Sequence, residues 1–248
     1  MALTFYWRCE GTTLDGTHDY SAGATTMTAI GGGESISATA AKIGSNGVLN
    51  TDGADYYYCS PASIVTANEG SFGWWLQWPS ALPANTTFAG ISVEQNLYTT
   101  TDNVICPRIN NANELSASIR SSGGIFISKL TTVVNFAPGA WYFCTMSWDL
   151  PNDKLRCRVY SASGTLIEEA NNDADLTDLA GGIPTTLDRL VIGQRTGSAI
   201  VVYVDNVFCG SSYDDADTFY TKRNITSYTE YTPGSAAPTM GRCIYILP

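Results

Sequence analysis

The sequence has little charge and almost no histidine. Of its 248 residues only 15% are charged, and His18 is the single histidine. A membrane-spanning helix needs about 20 consecutive apolar residues, and a secretion signal needs a basic start followed by an apolar core. The sequence contains neither pattern. We therefore expect no membrane-spanning helix and no signal peptide, and we expect synthesis in the cytoplasm.

Basic residues are also few. The 13 lysines and arginines face 23 aspartates and glutamates, which gives a formal net charge of −10. A surface of this sign repels phosphate backbones and anionic lipids. Nucleic acids and membranes are therefore not expected partners, and the simplest role of the acidic charge is solubility.

The seven cysteines are odd in number and lack the spacing of a zinc site. Most lie in apolar runs, where a thiol behaves as a small hydrophobic group. We expect buried free thiols, with one or two disulfides as the alternative. The cysteines are Cys9, Cys59, Cys106, Cys144, Cys157, Cys209 and Cys243.

What the sequence does contain is a series of short alternating runs separated by turn residues. They recur about every 8–15 residues with almost no helical periodicity, which predicts an all-β, two-sheet antiparallel sandwich or jelly roll. A short helix or cap is predicted at Tyr213–Tyr220, and a loop at Glu168–Pro184. The predicted strands outside the central hairpin are Leu3–Cys9, Ser35–Ile43, Tyr56–Cys59, Ser71–Trp78, Thr87–Glu94, Val104–Ile109, Glu114–Ser121, Ile125–Thr132, Leu187–Gln194 and Ala199–Cys209.

The clearest pattern is a hairpin within Trp141–Ile167, where two alternating runs flank a turn-rich segment. Pairing Trp148 with Leu155 collects the apolar residues on one face, and a slip of one residue would reverse the two faces. We expect the second face to be available to water or a ligand. On the first face Cys144, Met146 and Trp148 meet Val159, Cys157 and Leu155; on the second, Phe143, Thr145 and Ser147 meet Tyr160, Arg158 and Arg156.

The chain is predicted to form one domain over residues 1–230, followed by a linker and an apolar tail over 231–248. Thr232–Thr239 is rich in Pro, Gly, Ser and Ala, as linkers are. An apolar tail after such a linker is suited to pairing with the sheet edge of a neighbour. The tail residues predicted to act in assembly are Ile244, Tyr245, Ile246 and Leu247.

Several segments, in this order, resemble the laminin-G-like (concanavalin A-like) lectin and glucanase sandwich. The resemblance covers roughly residues 3–213 and implies that fold. Because the fold hosts lectins, hydrolases, lyases and virion proteins, it leaves the function to the site. The matching segments are YWRCEG at 6–11, IGSNG at 43–47, DGADY at 52–56, FGWW at 72–75, GAWY at 139–142, SWD at 147–149, RVY at 158–160, SGTLI at 163–167, IG at 192–193 and YVDNV at 203–207.

No pattern indicates catalysis. Glycoside hydrolysis needs two carboxylates about 5–10 Å apart, and the glucanases with this fold carry them as Glu-x-Asp-x-Glu on one strand. No predicted strand carries that motif. The acidic pairs Asp173/Asp175 and Asp215/Asp217 are predicted to be solvated, and His18 to be a solvated loop residue. We expect that the protein is not an enzyme.

A structural calcium ion is implied by the resemblance. Many similar sandwiches hold Ca²⁺ between an acidic residue that ends the first strand and an aspartate on a late strand. Glu10 and Asp205 occupy the matching positions, and their hard oxygen atoms suit Ca²⁺. The alternative is that Asp205 caps a strand end and Glu10 faces water.

The second face of the hairpin is the predicted ligand site. Aromatic rings beside hydrogen-bonding groups suit sugars, although subunit interfaces use the same residue types. The remaining tryptophans are expected in the core. The residues assigned to this site are Trp75, Gln77, Phe143, Arg156, Arg158 and Tyr160.

The leading functional prediction is a non-enzymatic structural or adhesion protein. The most specific form of it is a phage-type virion surface component, either a capsid decoration or tail-associated protein, located in an extracellular assembly and bound to other protein subunits. The alternative is a carbohydrate-binding module or lectin, with glycans as partners. A polysaccharide hydrolase or lyase ranks third.

Overall fold

The computed structural model describes residues 3–16, 18–24, 26–51, 55–80, 90–94, 104–109, 114–120, 126–130, 136–172, 187–193 and 201–227. The predicted linker and tail lie outside these residues, and with them the assembly residues Ile244, Tyr245, Ile246 and Leu247. Asp173, Asp175 and Cys243 also lie outside them.

Two antiparallel sheets pack face to face, which confirms the predicted all-β sandwich. Within the described residues the larger sheet has nine strands and the smaller has seven. The larger sheet contains β1 (Leu3–Trp7), β2 (Tyr20–Ser21), β4 (Glu34–Ser37), β5 (Gly47–Asn50), β7 (Glu69–Gln77), β12 (Tyr142–Asp149), β13 (Lys154–Ser161), β14 (Leu166–Asn172) and β16 (Val202–Gly210). The smaller contains β3 (Thr28–Ile30), β6 (Tyr56–Cys59), β8 (Ile91–Glu94), β9 (Val104–Ile109), β10 (Leu115–Arg120), β11 (Phe126–Leu130) and β15 (Arg189–Ile192).

The larger sheet follows the order β14-β13-β12-β7-β16-β1-β2, with β5 pairing β16 and β4 pairing β5. The smaller follows β11-β10-β9-β8-β15-β6-β3. Three helical segments complete the described residues: 3-10 turns at Ala38–Ala40 and Leu150–Asn152, and the helix α1 at Asp215–Lys222. The predicted helix near 213–220 is therefore confirmed, two residues further along the chain.

The predicted register of the hairpin is confirmed. Trp148 pairs with Leu155, and the other pairs follow through Tyr142 and Ser161. The apolar face of this hairpin enters the core between the two sheets, where Trp148 is fully buried against Phe72, with ring centroids 4.9 Å apart. Burial of one face fixes the register because a slipped strand would turn its apolar side chains to the opposite side of the sheet.

The six cysteines in the described residues are all buried, and none of these six forms a disulfide. Burial raises the pKa of the Cys59 thiol to about 12 and those of Cys144 and Cys157 further. Because the thiolate is the reactive form, these cysteines are expected to be inert at neutral pH.

The second face of the hairpin is covered, which corrects the prediction that it is open. Helix α1 packs on this side of the larger sheet, with Phe219 fully buried and stacked on Phe208 at a centroid distance of 5.5 Å. A side chain at Gly73 would lie 2.9 Å from Cβ of Phe219, so glycine allows the helix to approach the sheet. The larger sheet is thus buried on both faces where α1 lies over it.

Two other predictions need correction. Residues 168–172, at the start of the predicted loop Glu168–Pro184, belong to the edge strand β14 (Leu166–Asn172). The strand pairs on one side only within the described residues, and its exposed Leu166 and Ile167 break the apolar–polar alternation. Asp215 is fully buried where a solvated residue was predicted; its Oδ2 accepts a hydrogen bond of 3.0 Å from the backbone N–H of Ser212 at the start of α1. In the described ranges, no helix is long and apolar enough to cross a membrane.

Replacing Phe219 with alanine should destabilise the fold by about 3–5 kcal/mol, because it leaves a cavity between α1 and the larger sheet. Urea unfolding measures this change. The matched control is Thr221→Ala on the exposed side of the same helix, expected within about 0.5 kcal/mol of the parent chain. Equal midpoints for the two variants would show that α1 does not depend on this contact.

Candidate functional site

The aromatic residues of the predicted ligand site are buried. Trp75 and Phe143 are fully buried, and Tyr160 is 6% exposed and stacks on Tyr220 of α1 at 4.1 Å. The indole Nε1 of Trp75 donates a 2.8 Å hydrogen bond to the carbonyl of Arg223. A buried ring offers no face to a sugar, so the stacking role predicted for these three residues is wrong.

The polar residues of the predicted site hold neighbouring segments in place. Arg158 bonds both Glu169 on β14 and Asp217 on α1, and Arg156 lies 3.5 Å from Asp217. Gln77 donates to the carbonyl of Gly139 at 2.6 Å. These arginines therefore link α1 to the hairpin, and a ligand-binding role for Gln77, Arg156 and Arg158 stays a prediction.

A bulge in β16 organises the opposite end of this covered face. The register between β16 and β7 shifts between Asp205 and Phe208, and Asn206 has a left-handed backbone with φ of 43°. Asparagine tolerates this conformation better than most residues. The bulge places Asp205 and Asn206 where each side chain contacts a different segment of the chain.

Asp205 holds the turn that begins at Lys42. Its Oδ2 accepts hydrogen bonds of 2.7 Å from the backbone N–H groups of both Lys42 and Ile43, and its Oδ1 accepts one of 2.8 Å from Asn206. The carboxylate is fully buried. Burial of a carboxylate is costly unless it is hydrogen-bonded, and here three backbone amides supply those hydrogen bonds.

Asn206 holds the segment that follows α1. Its Nδ2 donates to the carbonyl of Ile225 at 2.8 Å, and its Oδ1 accepts from the hydroxyl of Tyr6 at 3.2 Å. The same hydroxyl lies 2.8 Å from the Ile225 carbonyl. Hydrogen bonds from the two bulge residues therefore hold together the 42–45 turn, strand β1 and the segment after α1.

Glu10, just after β1, meets the same turn. Its Oε1 accepts a 2.6 Å hydrogen bond from the backbone N–H of Ser45, and its Oε2 accepts one of 3.0 Å from Nδ2 of Asn46. Gly44 has φ of 73°, and a Cβ at this position would overlap Oε1 of Glu10. Glycine is therefore needed for the carboxylate to reach the turn.

These segments enclose a polar pocket of about 260 Å³, here called the rim pocket. Arg8, just after β1, enters it with its Nε and Nη2 each 3.3 Å from Asp19, and within the described residues no partner faces its Nη1. The pocket is slightly smaller than the roughly 300–1,000 Å³ of drug-sized sites, so its volume suits one small polar ligand. Its lining residues are Arg8, Glu10, Ile43, Gly44, Ser45, Asn206 and Thr226.

Calcium does not fit the donors at this place. Ca²⁺ takes about 6–8 oxygen ligands, whereas the atoms directed at Glu10 and Asp205 are N–H donors of the 42–46 turn. The described part of the chain contains no cluster of three or more acidic, histidine or cysteine residues that could hold a metal. N–H donors of the 42–46 turn face both carboxylates where a cation would need oxygen ligands, and the calcium site implied by the resemblance stays a prediction.

The predicted solvated position of His18 is confirmed. Its side chain is 49% exposed and its Nδ1 lies 2.8 Å from Oδ2 of Asp15. The resemblance implied a common location for Glu10 and Asp205, but sequence reasoning missed Arg8, Ser45 and Thr226 as residues of this pocket. The turn-forming Gly44-Ser45-Asn46-Gly47 was the one available signal for this pocket, because left-handed glycines and exposed amides are typical of anion-contacting turns.

Solved structures with a similar β-sandwich fold exist at low sequence identity. No family model matches the chain, and no curated protein matches it in sequence. Among solved structures, Domain 4 of the arabinanase AbnA from Geobacillus stearothermophilus, in complex with arabinotriose, has a TM-score of 0.61 at 13% identity, over 90% of this chain and 98% of that one.

The binding domain of botulinum neurotoxin serotype D is also similar, with a TM-score of 0.59 at 12% identity over 89% of this chain. A second structure of that domain, in complex with N-acetylneuraminic acid, gives 0.59 at 11% identity. The chain spans about half of these neurotoxin chains, 51% in both cases. At such identities the similarity shows the fold alone.

Removing divalent cations should leave the thermal stability unchanged. The carboxylates of Glu10 and Asp205 already accept hydrogen bonds from N–H groups, so the folded state should gain no stability from Ca²⁺. A chelator should therefore have nothing to remove. Differential scanning fluorimetry with EDTA and with millimolar Ca²⁺ checks this directly. A rise in melting temperature that saturates with Ca²⁺ would show that the ion displaces these hydrogen bonds.

Raising the pH should weaken the fold through Asp205. Burial raises the pKa of Asp205 from its ordinary 3.8 to about 7, against the three N–H donors that lower it. Between about pH 4 and pH 7 the folded state keeps a proton that the unfolded state releases. The contribution of Asp205 to the free energy of unfolding is therefore fully present below about pH 4 and is lost as the pH rises through 7.

Asp205→Asn, which mimics the protonated carboxyl, should reduce the fall in melting temperature between pH 5 and pH 8. Burial also raises the pKa values of Asp215 and Glu34, so part of the dependence should persist. Asp214→Asn, on an exposed residue, is the matched control. An unchanged pH profile in the Asp205 variant would contradict the assignment.

Proposed function

We propose that the protein is a non-enzymatic glycan-binding module whose site is the rim pocket. The observation that carries the proposal is the polar lining of this pocket, where the carboxylate of Glu10 and the guanidinium of Arg8 reach the surface of a lectin-like sandwich. Sugars present closely spaced hydroxyls that both donate and accept, and such groups match these side chains.

Four of the seven lining residues contact the ligand in this proposal. Both oxygens of Glu10 are held by one N–H donor each, which orients the carboxylate while further lone pairs accept from neighbouring sugar hydroxyls. Nη1 of Arg8 donates to a sugar oxygen, and the hydroxyl of Ser45 does either. Ile43 supplies an apolar contact for a ring face.

The similar structures support this reading. Domain 4 of the arabinanase is seen with arabinotriose, and the serotype D neurotoxin domain with N-acetylneuraminic acid. The neurotoxin structures are binding domains. A glycan is therefore a better supported partner than the virion subunits of the leading sequence prediction, and the virion role stays a prediction.

Hydrolysis at the rim pocket is disfavoured by the position of its acids. Glu10 and Asp205 both contact the 42–46 turn, and a hydrolase that used this pair would need both carboxylates to reach the substrate. Asp205 is fully buried with both oxygens bonded to backbone N–H groups, and it does not line the pocket. Glu10 alone can touch a ligand, which suits binding.

A glycan array with the full chain should show saturable binding that Glu10→Gln weakens at least tenfold, about 1.4 kcal/mol. Gly44→Ala should weaken it similarly, because the added Cβ displaces Glu10. Ser163→Ala, on an exposed turn outside the pocket, is the control. Binding that survives both pocket variants would place the glycan elsewhere, and an array without any bound glycan would refute the proposed function.

A further inference from the structure

The strand β14 forms an edge of the larger sheet. It pairs with β13 on one side, and in the described part of the chain no strand pairs with its other side. With seven residues it is the longest edge strand there, compared with β2, β3, β4 and β11. The edge of a sheet presents N–H and C=O groups to which a further strand can bind.

This edge also carries exposed apolar side chains. Leu166 is 48% exposed and Ile167 is 42% exposed, and among the described residues no other large hydrophobic side chain is exposed. The register with β13 shifts beside them: Tyr160 pairs with Leu166 and Val159 with Glu168, which leaves Ile167 as the extra residue of a bulge. Two adjacent apolar residues at a strand edge are suited to contact with an added strand.

The same edge is acidic. Glu168 and Glu169 follow the two apolar residues, and Glu169 already bonds Arg158 of β13. No ion pair within the described residues includes Glu168. Antiparallel pairing of β14 with β14 of a second copy would bring these carboxylates close together, which is unfavourable. The charge therefore favours an added strand that carries a basic residue.

The chain itself contains a segment with this composition. Residues 242–247 read RCIYIL, one basic residue followed by five apolar ones, of which isoleucine and tyrosine favour strands. An antiparallel register that sets Arg242 opposite Glu169 also sets Ile244 opposite Ile167. One register therefore matches the charge and the apolar residues together.

This segment is close enough to reach β14. The carbonyl of Ile225 accepts a 2.8 Å hydrogen bond from the hydroxyl of Tyr6 on β1. In the larger sheet β1 lies five strand spacings from β14, or about 24 Å. Residues 228–241 can span up to about 46 Å. A segment tethered this closely has an effective concentration of about a millimolar, which favours the β14 of its own chain over that of a second copy.

We propose that residues 242–247 dock on β14 of the same chain as an added antiparallel strand. Backbone hydrogen bonds join the two strands, Ile244 and Tyr245 contact Ile167 and Leu166, and Arg242 lies beside the glutamates. The prediction of pairing with a neighbour's sheet edge is thereby changed to pairing within one chain. The docking is independent of the rim pocket and of glycan binding.

A disulfide across the proposed pair tests both the docking and its register. Cys243 comes opposite Glu168, and the six cysteines of the described residues are buried, so Glu168→Cys supplies one matched thiol. With oxidised glutathione we expect an intrachain disulfide that forms at least tenfold faster than in Ser163→Cys, on the exposed turn before β14. Intact mass and a non-reducing gel measure it. Equal rates in the two variants, or a disulfide-linked dimer in place of the intrachain bond, would overturn the proposal.

Amide hydrogen exchange of the full chain tests the docking without a new thiol. Ile244→Asp should prevent docking and speed exchange at residues 166–170 at least tenfold, because the edge amides lose their partners. Thr239→Asp adds the same charge before the docking segment and should leave that exchange unchanged. Exchange at 166–170 that is the same in Ile244→Asp as in the parent chain would show that residues 242–247 do not cover this edge.

Discussion

The bulge at Asp205 and Asn206 is the constraint on which this end of the molecule depends. One irregular step in β16 turns a buried carboxylate toward the amides of Lys42 and Ile43 and a side-chain amide toward the carbonyl of Ile225. Three segments distant in sequence therefore meet at one point. The rim pocket is enclosed by these same segments, so its shape follows from hydrogen bonds made behind it.

The larger sheet carries apolar side chains on both faces, and each face has its own cover. The hairpin residues around Trp148 pack against the smaller sheet, while Trp75 and Phe143 pack under α1. A sheet buried on both sides cannot offer its aromatic residues to a ligand. The polar side chains of the rim pocket lie at the margin of this covered face.

The register of the hairpin could be predicted from its sequence because an alternation of period two has a single solution once one face is buried. The position of helix α1 could be predicted from the sequence. Its packing against the larger sheet could not be predicted, because the segment is short and mostly polar and Phe219 gives no clear apolar pattern. The very short strand β2, two residues long, makes no periodic pattern at all.

For the site, too, the location of residues could be predicted but their hydrogen-bond partners could not. The resemblance brought Glu10 and Asp205 to one place, correctly, but the chemistry there depends on whether N–H groups or carbonyl oxygens of the 42–46 turn face them. Backbone direction in a turn is not encoded in residue types alone.

The most direct test of the central claim is a crystal structure of the full chain grown with a sugar that it binds on the array. We expect density for a sugar ring against Glu10 and Arg8, with Asp205 still bonded to the backbone N–H groups of Lys42 and Ile43. A cation between Glu10 and Asp205, with carbonyl oxygens of the turn rotated toward it, would contradict the account.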